Sequence, residues 1–287
     1  MTEGREHAVI SGLDHVVLLV EDIEAGAKTY ELLLGRSTAW RNSGEGADRV
    51  MFTLDNMTLE LMAPSGFSVA ADRIREVIKR SGEGLASLCF LTFDIAKAHR
   101  RLDRLALNPD PIAEVESRDR DSGSTLQWKR TRATTELTRG VRLFFLELAK
   151  PRPPSPVASA APVLGLDHVV IATGDPERAA ALYGARLGLD MALDRSHADW
   201  GRLMFFRCGD LIVELVQRPG AVADPTRDKL WGLSWRVADI DAARARLAAA
   251  GLDVSEVRGG RKPGTRVMSV RDGTCGINTL LLERAEK

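Results

Sequence analysis

Short runs of apolar and β-branched residues alternate along the chain with segments in which apolar residues recur every three or four positions. The first run, GLDHVVLLV from Gly12, leads to Asp22 and then to such a segment, IEAGAKTYELLL. A run of this kind indicates a strand, and an Asp ahead of an amphipathic segment is typical of a helix N-cap. Because shorter apolar runs separated by turn residues follow, the pattern predicts a βαβββ unit.

The same pattern returns in the second half of the chain. The segment GLDHVVLLVEDIEAGAKTYELLLG from Gly12 recurs as GLDHVVIATGDPERAAALYGARLG from Gly165, an offset of 165 − 12 = 153 residues. Further on, Glu60 and Glu214 differ by 154, and we place the single inserted residue in the turn at Gly209-Asp210. Self-similarity of this kind is the signature of a repeated architecture, so we expect two similar domains.

Each half contains a weaker second copy of the unit, in which a strand pattern runs into Asp94 or Asp239 and then into a helix pattern. One face of a βαβββ sheet must be buried against another layer. We therefore expect an α+β fold of four βαβββ modules, paired into two domains whose curved mixed sheets surround a cavity. The predicted divisions of the chain are an N-terminal tail at 1–11, a first domain at 12–149, a proline-rich linker at 150–164 and a second domain at 165–284.

Composition and charge narrow the classes of function. The 40 basic and 40 acidic residues cancel without forming long blocks, which argues against a nucleic-acid or anionic-membrane partner. Three widely spaced cysteines without a CxxC pattern are typical of a reducing compartment. No apolar run approaches the roughly 20 residues that span a bilayer, and the first residues lack a signal-peptide core. We expect a cytoplasmic protein with a small-molecule partner, and association into a homodimer stays open.

A His in the first strand and a Glu in the last strand of a module are the residues best suited to chemistry. His15 lies in GLDHVV and Glu60 in TLELMAP, and the second half repeats them as His168 and Glu214. In this order and repetition the chain resembles the vicinal-oxygen-chelate superfamily of glyoxalases, bleomycin-resistance proteins and extradiol dioxygenases. The resemblance covers nearly all of the chain outside the tail and the linker. It implies one divalent metal ion as cofactor, and Mn, Fe(II), Ni, Zn or Mg would suit one imidazole and two carboxylates.

The resemblance places the metal ligands in the first and last strands of two paired modules. Within the first half it implies His15, Glu60 and Glu147 as ligands. The second half offers a smaller candidate set, His168 and Glu214. Pairing of modules across the halves stays open and would combine Glu147 with that second set. The remaining positions of the pattern hold other residues: Ser87, Gly232 and Leu281.

The activity implied by the resemblance is glyoxalase-like lyase, isomerase or epimerase chemistry on a small oxygen-chelating metabolite. The metal would polarise a carbonyl, and Glu147 or Glu60 would act as the catalytic general base. Extradiol dioxygenases of the superfamily need two histidines and one glutamate, and neither half retains that set, so ring cleavage is the third hypothesis. The missing ligands favour the main alternative, a metal-free protein that binds a drug or metabolite and confers resistance.

Several of these residues also have purely structural interpretations. His15 and His168 can be core residues with buried partners, and the strand glutamates can be paired with arginines. In LQWKRTRATT, Trp128, Arg130 and Arg132 alternate onto one face of a strand. If that face lines the cavity, it would bind a carboxylate-bearing or aromatic substrate. A solvated face on an edge strand is the other interpretation.

Overall fold

The computed structural model describes residues 9–220 and 224–285, so residues 1–8 of the predicted tail lie outside the described residues. The first half contains β1 (Gly12–Leu19), α1 (Ile23–Leu34), β2 (Trp40–Gly44), β3 (Ala47–Thr53), β4 (Thr58–Pro64), α2 (Val69–Ser81), β5 (Gly84–Leu91), α3 (Ile95–Arg104), β6 (Ala113–Arg118), β7 (Thr125–Arg132) and β8 (Arg142–Leu148). The second half contains β9 (Val163–Thr173), α4 (Pro176–Ala180) with a π-helical continuation (Ala181–Arg186), β10 (Asp190–His197), β11 (Gly201–Cys208), β12 (Leu211–Gln217), β13 (Asp228–Val237), α5 (Ile240–Ala249), β14 (Arg258–Gly259), β15 (Thr265–Val270) and β16 (Asn278–Arg284).

The order of the strands shows how the modules pair. The first sheet has the order β2-β3-β4-β1-β5-β8-β7-β6, and the second has the order β10-β11-β12-β9-β13-β16-β15-β14. Two βαβββ modules therefore join within each half, through the antiparallel pairing of β1 with β5 and of β9 with β13. The α+β fold of two mixed, curved sheets is confirmed, and the described strands exclude pairing across the halves.

An Asp begins the helix of each module, as predicted. The side chain of Asp22 accepts hydrogen bonds from two backbone amides of the first turn of α1, at 2.8 and 2.9 Å. Asp94, Asp175 and Asp239 cap α3, α4 and α5 in the same way. These caps satisfy amides that have no partner within the helix. In the described part of the chain, none of the helices has the length and apolarity needed to cross a membrane.

The first sheet curls until its two outer strands meet. The indole of Trp40 on β2 donates a hydrogen bond to Oγ of Ser117 on β6 at 2.9 Å. Next to it, the backbone amide of Arg41 donates to the carboxylate of Asp119 at 2.8 Å. We call these contacts the β2–β6 seam. Because of the seam, the inner face of the sheet becomes the wall of a cavity.

Helix α2 covers this inner face at one end, and the repeat pattern did not predict it. Its sequence VAADRIREVIKRS places Ile74 and Ile78 on one side of the helix, which has charged residues elsewhere. These two side chains pack with Val17 and Leu19 of β1 and with Leu146 of β8. The described residues between β12 and β13 form no helix, so only the first sheet has such a cover.

The residue inserted in the second half lies in a different turn from the predicted one. The β10–β11 hairpin has three turn residues, 198–200, where the β2–β3 hairpin has two, 45–46. Met51 and Phe205 occupy equivalent positions on the strands that follow, and the offset between them is already 205 − 51 = 154. The additional residue lies in the β10–β11 turn, so the prediction of an insertion at Gly209-Asp210 is wrong. The sequence alone does not give the strand register that locates it.

The proline-rich segment between the halves is packed rather than free. Ser155 accepts a hydrogen bond from the amide of Thr53 at 3.0 Å, and Val157 forms a β-bridge with Arg36. Beyond this segment, a buried ion pair joins the halves, with Arg139 Nε 2.9 Å from the Asp228 carboxylate. One continuous cluster of buried apolar side chains also includes residues of both halves. The two sheets are therefore held in a fixed relation to each other.

Candidate functional site

The inner face of the first sheet lines a partly open cavity of about 410 Å³, a volume typical of small-molecule sites. All eight strands of the first sheet and helix α2 contribute to its wall. The lining is divided into an apolar part and a polar part with many arginines. The apolar side chains include Val17, Met51, Met62, Trp128, Phe144 and Leu146.

His15 and Glu60 meet at the floor of this cavity. They project from adjacent parallel strands, β1 and β4, where Thr58 is the partner of His15 and Glu60 is the partner of Val17. His15 Nε2 lies 3.5 Å from Glu60 Oε2, and both side chains are buried. The structure thus brings together two of the three residues that the resemblance implied for the first half.

Asp14 contacts the same imidazole from its other side. A β-bulge interrupts the pairing of β1 with β5 between Leu13 and His15, and an extra residue at a bulge can re-aim its side chain. Asp14 Oδ2 lies 2.6 Å from His15 Nδ1. The guanidinium of Arg152 donates to the same carboxylate at 2.8 Å, and both groups are buried. Asp14 and Arg152 do not line the cavity, and they support His15 from behind a floor that His15 and Glu60 form.

These contacts shift the pKa values of Asp14 and His15. Burial acts to raise the pKa of Asp14, but the hydrogen bond with His15 and the charge of Arg152 outweigh it and lower that pKa to about 2. Burial acts to lower the pKa of His15, but Cys89, its partner on β5, and Asp14 raise it to about 10. The raised pKa favours the protonated form of His15, in which both ring nitrogens donate hydrogen bonds.

Glu147 does not reach the cavity, which corrects the ligand and general-base roles implied for it. Side chains alternate between the two faces of a strand, and on β8 the cavity side holds Phe144 and Leu146. Glu147 lies on the opposite face, where its Oε2 accepts a hydrogen bond from the amide of Ile95, the first residue of α3, at 2.7 Å. Its carboxylate is therefore a partner of the helix N-terminus.

Register along the paired strands explains this difference. The carboxylate position lies two residues beyond the β-sheet partner of the first-strand residue. For the module that contains Ser87, that position falls on Phe144. For the module that contains Gly232, it falls on Leu280 rather than on the predicted Leu281. Neither side chain can ligate a metal.

The second half repeats the His–Glu pair. His168 Nε2 lies 3.2 Å from Glu214 Oε2, and Nδ1 lies 3.0 Å from the carboxylate of Asp167. Asp167 in turn pairs with Arg236 at 3.3 Å and with Arg284. Burial raises the pKa of Glu214 despite the opposing charge of His168. The duplicated chain thus preserves the arrangement in a second sheet, where the described residues between β12 and β13 form no helix.

Trp128, Arg130 and Arg132 line the cavity of the first half. Their strand β7 is not an edge strand, because β6 pairs with it on the outer side. The guanidinium groups of Arg130 and Arg132 lie 5.9 and 6.0 Å from the ring centre of Phe144. Arg142 on β8 lines the same wall. We call Arg130, Arg132 and Arg142 the arginine wall.

The residues at the floor do not fit the expected divalent metal. Among residues 9–220 and 224–285, no group of three or more His, Cys, Asp or Glu side chains is arranged to hold an ion. Each half offers two candidate ligands, whereas catalytic sites of this type usually keep three protein ligands. In the first half, Arg49 Nε also lies 3.4 Å from Glu60 Oε1 and places a positive charge beside one of the two.

The sequence reasoning missed Asp14, Arg152 and Arg142. The repeat contains a signal for the first of these, because Asp precedes His in both copies of GLDHVV, as Asp14 and Asp167. Arg152 lies in the segment interpreted as a linker. Arg142 lies in a strand whose face could not be assigned without its register. No sequence pattern points to either arginine.

Two family models match the chain, one in each half. A glyoxalase-like domain matches residues 13–163, and the Glyoxalase/Bleomycin resistance protein/Dioxygenase superfamily matches residues 165–278. No curated protein matches the chain in sequence. Each half of the chain is therefore matched by its own model of a glyoxalase-type domain.

Several solved structures have a similar fold over nearly the whole chain. A mutant of 4-hydroxymandelate synthase from Streptomyces coelicolor is 13% identical with a TM-score of 0.71, over 97% of this chain and 94% of that chain. BphC, a halotolerant catechol dioxygenase, is 14% identical with a TM-score of 0.63, over 96% and 87% of the two chains. A catechol 2,3-dioxygenase is also 14% identical with a TM-score of 0.63, over 97% and 90%. At these identities the similarity concerns the fold alone.

Proposed function

The chain belongs to the glyoxalase/bleomycin resistance protein/dioxygenase superfamily, and we propose that it binds a small oxygen-bearing organic molecule in the cavity of its first half without a protein-bound metal. The observation that carries the proposal is the buried pair of His15 and Glu60 at the floor of a cavity of about 410 Å³, with Asp14 in contact with the imidazole from behind. Protonated His15 can donate to a ligand oxygen, and Glu60 can accept from a ligand hydroxyl. The apolar side chains of the cavity would hold the rest of the molecule.

The metal-dependent lyase, isomerase or epimerase implied by the resemblance is a weaker hypothesis. It requires a third protein ligand, and the two remaining positions in the first half are Ser87 and Phe144. A ring-cleaving dioxygenase would require a second histidine where Ser87 lies. The binding function uses only groups that the cavity contains, and we therefore prefer it.

A binding screen tests the proposal. We would screen carboxylic acids, 2-oxo acids, phenols and phosphate esters by thermal shift, and measure the affinity of each hit by isothermal titration calorimetry. Glu60→Gln should weaken the binding of a hit, whereas Glu147→Gln should leave it unchanged, because Glu147 lies on the opposite face of the sheet. Equal effects of the two substitutions, or a stoichiometry other than one molecule per chain, would contradict the proposal.

Acid–base catalysis on the bound molecule is a second candidate function. It is favoured by the 2.6 Å contact of His15 Nδ1 with Asp14, which leaves Nε2 directed toward Glu60 at the cavity floor. An imidazole oriented by a carboxylate is a common general acid or base. We would follow hydrogen exchange next to a ligand carbonyl by NMR in D2O. Exchange that His15→Gln abolishes without loss of binding would support catalysis, and no enzyme-dependent exchange would reject it.

A further inference from the structure

We propose that the ligand is an organic anion whose carboxylate or phosphate group binds at the arginine wall, with Arg142 as the central contact. The inference rests on the proposed binding function and names the chemical class of the molecule. In this arrangement an aromatic or aliphatic body lies on Phe144 and Trp128, and a second polar group reaches His15 at the floor.

The charges that line the cavity are the first support. Six arginines contribute to its lining and three glutamates oppose them, which leaves an excess of three positive charges before His15 is counted. The chain as a whole is neutral, with 40 basic and 40 acidic residues. The excess is therefore a local property of the cavity. A cationic concave wall attracts anionic ligands and raises their local concentration.

Arg142 is the arginine of the wall without a counter-ion. Arg130 has Glu45 at 4.0 Å, and Arg132 has Asp110 at 3.1 Å. Among the described residues, Arg142 has neither an ion pair nor a hydrogen bond from its guanidinium, although it is half-buried. Partial burial of an unpaired charge is unfavourable, and a bound anion would remove the penalty.

The neighbours of Arg142 increase this penalty. Burial lowers the pKa of Arg142, and the positive charges of Arg132 and Arg80 lower it further. Like charges held together at a cavity wall are typical of sites that bind carboxylates or phosphates, since the planar guanidinium can donate two parallel hydrogen bonds to such groups. An anion between Arg142 and Arg132 would convert repulsion into attraction.

The second half provides an internal comparison. The strand register makes Asn278 the equivalent of Arg142, Ser269 the equivalent of Arg132, and Val267 the equivalent of Arg130. The second sheet has the same fold and the same His–Glu pair but no arginine at these positions. The arginine wall is therefore not required for the fold, which supports a ligand-binding role.

The register also sets the length of the ligand. Glu60, Val17, Ser87 and Arg142 are neighbours in one row across β4, β1, β5 and β8. Three strand spacings separate Glu60 from Arg142, roughly 14 Å along the curved sheet at about 4.8 Å per strand. A molecule that contacts both ends therefore carries its anionic group at one end and a hydroxyl or carbonyl at the other, with an apolar body between them.

Matched probes test the inference. Benzoate, phenyl phosphate and neutral benzamide would be titrated calorimetrically into wild type, Arg142→Gln, Arg142→Lys and Arg100→Gln. Arg100 is an exposed residue of α3 outside the cavity and serves as the control. We expect at least one anion to bind more tightly than benzamide, and Arg142→Gln to weaken it by roughly 10- to 100-fold, as for other charge-assisted hydrogen bonds. Arg142→Lys should lose less of the affinity for the anion, and Arg100→Gln should lose none.

The outcomes separate this inference from the proposed function. Tighter binding of benzoate assigns a carboxylic acid, and tighter binding of phenyl phosphate assigns a phosphate ester. If benzamide binds as well as the anions, or if Arg142→Gln leaves anion binding unchanged, the inference is wrong while the binding function stands. If neither the anions nor benzamide binds to the folded wild-type protein, both proposals fail. Circular dichroism would verify that each variant is folded.

Discussion

Asp14 shows how one irregular residue changes the chemistry of its neighbour. In a regular strand its side chain would lie on the face opposite to His15, but the bulge allows the two side chains to contact each other. Arg152 then keeps Asp14 ionised, and Asp14 helps to keep His15 protonated. The imidazole of His15 thus contacts a carboxylate at Nδ1 and directs Nε2 toward Glu60.

The first prediction at this scale concerns metal content. We expect protein purified without chelators or a histidine tag to contain well below one divalent ion per chain by inductively coupled plasma mass spectrometry. The physical reason is that each half offers two candidate ligands, and that Glu60, one of the two in the first half, is paired with Arg49. Reconstitution with Mn, Fe(II), Ni, Zn or Mg should not change this result.

Two variants make the metal experiment decisive. His15→Ala and His168→Ala should contain the same trace metal as wild type. A stoichiometric ion in wild type that one of these substitutions removes would contradict the prediction, identify the metal-binding half, and return the metal-dependent lyase or isomerase to first place.

At the scale of elements, the two halves use the last strand of their second module in the same way. Glu147 accepts a hydrogen bond from the amide of Ile95 at 2.7 Å, and Glu283 accepts one from the amide of Ile240 at 2.8 Å. A carboxylate at a helix N-terminus satisfies a free amide and interacts favourably with the helix dipole. The two glutamates therefore stabilise α3 and α5.

This interpretation gives the second prediction. Glu147→Gln should lower the free energy of unfolding by about 0.5–2 kcal/mol, the range for loss of a helix cap, and Glu283→Gln should have a similar effect. Urea denaturation followed by circular dichroism measures both changes. Ligand affinity should be unaffected in either variant. A loss of ligand affinity in Glu147→Gln without loss of stability would restore the catalytic role that the resemblance implies for Glu147.

Strand register also explains how much of the site could be predicted from the sequence. The repeat identified the four modules, the Asp caps and the His15–Glu60 pair, because these depend on local patterns that recur. Glu147 was placed by the similarity of FLEL to TLEL, but its strand begins at Arg142 and that of Glu60 begins at Thr58. Glu60 is thus the third residue of its strand and Glu147 the sixth. Because these positions differ by an odd number of residues, the two side chains lie on opposite faces of the sheet. Only the paired strands show this.

The β2–β6 seam provides the third prediction, which concerns pH. Burial acts to raise the pKa of Asp119, but hydrogen bonds from the amide of Arg41 and from Ser122 outweigh it and lower that pKa. A carboxyl whose pKa is lower in the folded state adds stability above its unfolded pKa of about 3.9, and that stability is lost as the pH falls through the folded value. Asp119→Asn should remove this contribution.

Urea denaturation of wild type and Asp119→Asn between pH 7 and pH 3 measures the effect. We expect wild type to be more stable by roughly 1–2 kcal/mol at neutral pH, and the difference to shrink below about pH 4. Hydrogen exchange at the amide of Arg41 should be faster in the variant at pH 7. A stability difference that stays constant over the whole range would show that Asp119 does not act through its charge.

At the scale of the whole molecule, duplication has produced two sheets with the same topology and different inner faces. Both keep an Asp–His–Glu arrangement, as Asp14, His15 and Glu60 in the first half. The first sheet adds α2 and the arginine wall, whereas the described residues between β12 and β13 form no helix and the wall positions of the second sheet hold Asn278, Ser269 and Val267. A covered, cationic cavity thus distinguishes the first half.

The ion pair between Arg139 and Asp228 tests how strongly the two halves are coupled. Two hydrogen bonds of 2.9 and 3.0 Å join the groups, and the side chain of Asp228 is fully buried. Arg139→Met would leave a buried carboxylate without its partner, at a cost of about 3–5 kcal/mol. Arg271→Met is the control, since its partner Asp253 is exposed and loss of such a pair costs about 0–1 kcal/mol.

We expect one calorimetric transition for wild type and the control, and a lower or divided transition for Arg139→Met. If Arg139→Met unfolds like the control, the halves are held together by their shared apolar cluster, and the ion pair contributes orientation rather than stability.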